Sequence, residues 1–157
     1  MKRLCLAVAA FLPALAGSQT TAQAIGANKG ITLVVDGSPK SIPFNKTVDF
    51  TVDAVGNYRI LVSTVERSHY STKNVDWANV SGVSMEDKSG NILGVWTHGT
   101  RPSVFTFTPP GLRIDYWEST PVSLVPAENC TLSIAGAGTA FGQPEKAEVV
   151  IRVERLE

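Results

Sequence analysis

The feature that most constrains this chain is a two-residue period in its apolar residues, sustained from Gly30 almost to the C-terminus. It is clearest near the end, where Ala147, Val149, Ile151 and Val153 alternate with Glu148, Val150, Arg152 and Glu154. Successive side chains of an extended strand point to opposite faces, so such a segment can bury one face and wet the other. Strand-like runs also occupy residues 31–36, 48–52, 58–65, 80–85, 92–97, 104–108, 112–118, 122–125 and 130–135. Asp36-Gly37-Ser38-Pro39, Ala54-Val55-Gly56-Asn57, Lys88-Ser89-Gly90-Asn91 and Pro109-Pro110-Gly111 supply turn chemistry between them. Helical spacing is not sustained anywhere. The pattern predicts an all-β antiparallel β-sandwich of about nine or ten short strands, with little or no helix.

An internal echo links Phe50-Thr51-Val52, Gly56 and Arg59-Ile60 to Phe105-Thr106-Phe107, Gly111 and Arg113-Ile114. Each half reads as a hairpin. Two stretches read as long loops: residues 66–79, polar and carrying His69, Tyr70, Asp76 and Trp77, and residues 136–145, with Gly136, Gly138, Gly142 and Pro144. On a rigid sandwich, long loops are the usual place for binding.

The N-terminus reads as an export signal. Met1-Lys2-Arg3 is cationic, residues 4–16 are almost wholly apolar, and Ala22-Gln23-Ala24 offers a small-x-small cleavage pattern. Cleavage is expected after Ala24, with Ala14-Leu15-Ala16 as an earlier alternative, leaving residues 25–157 as one domain that is periplasmic or secreted. Pro13 and the lack of a polar face argue against an N-terminal core helix. Loss of Cys5 with the signal leaves Cys130 alone, so the mature chain has no internal disulfide. Cys130 shares a strand face with Leu132 and Ile134 and is expected to be a small buried hydrophobe, the alternative being a reactive thiol or a bridge between chains.

Composition excludes several partners. With 14 Lys+Arg against 14 Asp+Glu in 157 residues there is no basic footprint for nucleic acid, and 43% hydrophobic residues are too many for a disordered chain. No apolar run reaches the roughly 18 residues of a membrane span.

Catalytic constellations are thin. His69 and His98 are the available neutral-pH bases, and no nucleophile elbow, zinc-protease motif or phosphate loop occurs. Residues 86–91 have oxygen donors near Gly90 but lack the acid spacing of a calcium loop, and His69 with Asp76 reads as a hydrogen-bonded pair rather than a metal site. No enzyme activity, metal or cofactor is expected. Asn45, Asn79 and Asn129 begin glycosylation-type triplets, which carry no meaning behind a signal of this bacterial style. Aromatic side chains are the better indicators, because exposed Tyr and Trp rings offer area for a sugar face or a protein anchor. The expected ligand-binding set is His69, Tyr70, Asp76 and Trp77 of the 66–79 loop, helped by Trp96 and Trp117.

Three functions follow as expectations: a non-enzymatic binder of a glycan or protein partner through that set; a surface-fibre or fimbrial subunit that self-associates by donating edge strand 31–36; or a periplasmic inhibitor or immunity-type protein.

Overall fold

The computed structural model describes residues 23–25, 29–105 and 112–157. Eleven strands run in chain order as β1 (Gln23–Ile25), β2 (Lys29–Asp36), β3 (Ile42–Val52), β4 (Gly56–Val65), β5 (Arg67–His69), β6 (Asn74–Asp87), β7 (Trp96–Pro102), β8 (Arg113–Ser119), β9 (Val122–Leu124), β10 (Cys130–Thr139) and β11 (Lys146–Leu156). No helix occurs among the described residues. One sheet has the order β1-β3-β10-β6-β5 and the other β2-β11-β4-β8-β7, with β9 also paired to β4. Their strands pair antiparallel, except that β1 joins β3 in parallel. The all-β sandwich is therefore what the alternation foretold.

The core lies between the sheets. Phe50, Val80, Met85, Leu132 and Ile134 of the first meet Tyr58, Ile60, Val62, Val149, Ile151 and Val153 of the second, all buried. Each such side chain contributes about 1.5–3 kcal/mol by leaving water. Cys130 is buried and free beside this core, as its strand-mates implied.

Several boundaries differ from expectation. The expected signal segment falls outside the described residues up to position 22, and the bond after Ala24 lies within β1. The Phe50–Ile60 half of the echo is no hairpin: β3 and β4 belong to different sheets. Buried Tyr58 braces this crossing by donating its hydroxyl to the Ala54 carbonyl at 2.6 Å. Residues 66–79 are not a loop but the β5–β6 hairpin, and residues 136–139 continue β10. Strand β7 begins only at Trp96, because pairing with β8 starts at Trp96–Ser119; Ile92 and Val95 are exposed. Val104 and Phe105 are outside any strand, and residues 106–108 lie outside the described residues.

One edge is closed in an unusual way. Strand β6 pairs with β10 along one side but with β5 only at residues 74–76 on the other. Further along, the Ala78 amide donates to Thr64 Oγ1 at 2.9 Å and the Val80 amide to Asp115 Oδ2 at 3.1 Å. The Val80 carbonyl accepts from Trp117 Nε1 at 3.0 Å. Side chains of the second sheet thus satisfy an edge that would otherwise offer bare backbone to another chain.

Candidate functional site

Three segments converge at one end of the sandwich: the tip of the β5–β6 hairpin, the residues after β7, and the β10–β11 connection. The hairpin turn closes through Thr72 N donating to the His69 carbonyl at 3.1 Å, with Lys73 in the left-handed region at φ 54°. Asp76 is buried at the start of β6 and uses both oxygens. Oδ2 lies 2.7 Å from His69 Nε2, and Oδ1 accepts from the Phe141 amide at 2.7 Å. A buried carboxylate needs such donors to offset its lost hydration. The His69 ring also covers Gly142, where an added Cβ would lie 2.3 Å from His69 Cε1. Two stretches singled out in the sequence are thereby tied to each other.

Glu66 ties in the third segment. Its carboxylate, almost fully buried, accepts from Arg101 Nη1 at 2.7 Å, from the Ser103 hydroxyl and from the Val104 amide at 3.4 Å. Above this frame the Tyr70 and Phe105 rings meet edge to face, with centroids 6.1 Å apart. Tyr70 is 72% exposed, Val104 70% and Phe141 39%. Three large apolar side chains from three segments thus stand in solvent on a hydrogen-bonded base.

The other expected residues lie elsewhere. Trp77 sits in β6 opposite Thr139, half-buried, on the face away from Ala78. Trp96 and Trp117 pack against the core from β7 and β8. Around Trp117 a second histidine–aspartate pair forms. His98 stacks on the indole with centroids 4.5 Å apart, and its Nε2 lies 2.6 Å from Asp115 Oδ1. The two pairs share a plan: a buried aspartate bonds a half-exposed histidine with one oxygen and a backbone amide with the other. Both fasten one piece of chain to another.

Asp115, Glu66, Phe105 and Phe141 were missed from the sequence. Asp115 could have been found, since it alternates with Trp117 and Ser119 on one strand face, and an inward acid demands a donor. The others depend on contacts between distant segments.

The alternative cation loop at residues 86–91 is a hairpin turn whose acid is already engaged. Asp87 accepts from the Ser89 and Asn91 amides and from Asn91 Nδ2 at 2.8–2.9 Å, and these bonds hold its carboxyl below the usual range. The described residues contain no cluster of three or more His, Cys, Asp or Glu placed to hold a metal ion. Burial, then the negative charges of Glu128 and Asp87, push the Cys130 thiol up to about 11, which disfavours the reactive thiolate. Among the described residues no helix is long and apolar enough to cross a membrane. Comparison with known proteins found no matching family model, no matching curated protein and no matching solved structure.

Proposed function

We propose that this protein is an exported module, periplasmic or secreted, that acts by binding rather than by catalysis. Its contact surface is the end that carries Tyr70, Val104 and Phe141, and its partner is a protein with a complementary apolar recess. The observation that carries this reading is the exposure of these three side chains on a base fastened by Asp76 and Glu66. Exposed apolar clusters of this kind mark interaction sites, and tyrosine is a frequent anchor in them. The frame holds the contact residues in place before binding, which lowers the ordering cost.

The test is capture from a native envelope extract, followed by affinity measurement with the purified partner. Tyr70→Ala and Val104→Asp should each weaken binding at least about tenfold without changing thermal unfolding. A partner held equally well by both variants, or a glycan whose capture is lost in Tyr70→Ala, overturns the reading. So does a hydrolytic activity that disappears when His69 and His98 are both replaced.

A fibre subunit is the second reading, and the place of β2 at the end of its sheet's order favours it. Residues 29–36 are already paired with β11 along the whole of β2, so donating them to a neighbour means breaking that ladder. Concentration-independent monomers in gel filtration would end it.

A further inference from the structure

The outer face of the β2-β11-β4-β8-β7 sheet carries a groove that the end site does not use. Thr32, Val150, Ser63, Tyr116 and Gly99, one from each strand, cross this face in register. Gly30, Arg152, Leu61, Glu118 and Thr97 form the adjacent row. Tyr116 does not stand upright between its neighbours. It lies over Gly99, where an added Cβ would be 2.1 Å from the ring's Cζ and 2.3 Å from its hydroxyl. Leaning toward β7, the ring leaves the space above Ser63 open while remaining 41% exposed itself. The result is a groove of about 160 Å³ lined by Leu61, Val62, Ser63, Tyr116, Val150 and Arg152.

The charges around it are unevenly committed. Glu118 and Glu154 are bound by Arg59 at 2.9 and 2.8 Å, and Glu148 by Arg67 at 2.6 Å. Arg152 is exposed in their midst and forms no ion pair among the described residues. One free guanidinium, one recumbent aromatic ring and one small hydroxyl therefore face the same space.

We propose that this groove binds an acidic sugar, a single hexuronate ring within a glycan. The CH-rich face of the pyranose packs on Tyr116, and its carboxylate takes the planar fork of Arg152. Ser63 offers a hydroxyl to the ring's own hydroxyls. The groove is far smaller than the sites that enclose drug-sized ligands, which suits one ring of a longer chain that runs on over the open sheet. The proposal is independent of the protein-binding end, because no residue is shared.

The experiment is calorimetric titration of the full chain with a short hexuronate oligosaccharide and with a neutral hexose oligosaccharide of equal length. The acidic sugar should bind and the neutral one should bind at least about tenfold more weakly, the loss of one charge-assisted contact. Arg152→Gln should remove that preference, and Tyr116→Ala should weaken both sugars. Gly99→Ala should abolish binding by driving the ring up into the groove, although Tyr116 and Arg152 are both retained. Tyr70→Ala should leave sugar binding unchanged. No binding by the wild-type chain, equal binding of both sugars, or an unaffected Arg152→Gln variant overturns the proposal. Equal affinity for an acidic peptide also overturns it, since the groove would then read charge alone.

Discussion

The indole N–H of Trp117 donates to the main-chain carbonyl of Val80 across the two layers of the sandwich, at 3.0 Å. Asp115, two residues earlier on the same strand face, accepts the Val80 amide. The peptide groups of one residue are thus received by side chains from the facing sheet where a neighbouring strand is missing.

Removing the acceptor should expose this arrangement. Asp115→Ala leaves the Val80 amide without its partner, at a cost of roughly 1–3 kcal/mol. Urea unfolding should show that loss, and light scattering should show faster association as the β6 edge opens. Asp115→Asn keeps an acceptor oxygen and should lose less. Equal stability of wild type and the alanine variant would show that the edge is not held in this way.

Tyr58→Phe isolates a single hydroxyl. The ring stays in the core while the bond to the Ala54 carbonyl is lost, so a decrease of about 1 kcal/mol is expected by denaturant titration. An unchanged midpoint would mean that the β3–β4 crossing does not depend on this bond.

Cys130 gives a pH dependence. Its thiol ionises near the ordinary cysteine value of 9.0 when unfolded and only at about 11 when folded. Between those values the unfolded chain has released a proton that the native chain still holds, so stability falls as pH rises through that window. It is fully present below pH 9. Cys130→Ala should flatten the decline, and alkylation of the native thiol at pH 8 should be much slower than in denaturant. Rapid native alkylation would contradict the buried, protonated thiol.

Gly142→Ala tests the frame beneath Tyr70. The new Cβ would lie 2.3 Å from His69 Cε1, so the imidazole must shift and its bond to Asp76 should loosen. Amide exchange at Phe141 should quicken and partner affinity should fall, while the distant core remains unchanged. Unaltered exchange at Phe141 would separate the histidine from the frame.

The sandwich was legible wherever a strand's partners impose simple alternation. Ala147, Val149, Ile151 and Val153 are all buried, as are Cys130, Leu132 and Ile134. Legibility failed where polar residues go inward. Asp76 falls in the mostly polar stretch 66–79 and looks like loop material, yet it is buried because Phe141, far along the chain, brings it an amide donor. The reverse error arose at residues 92–95, where exposed Ile92 and Val95 imitate strand periodicity but Ile92 makes only an isolated bridge to Glu86 and β7 begins at Trp96. Of the candidate site, His69, Tyr70 and Asp76 could be grouped from the sequence because they lie close together in the chain. Val104 and Phe141 were not, because nothing near them announces that the fold carries them to the same end.

Apolar contact between stacked layers is non-directional and by itself tolerates sliding. The bonds from Asp115 and Trp117 to one peptide unit have direction and length, so any shear between the layers must break them together. The two layers are thereby keyed to one another at Val80, where β6 lies against β8.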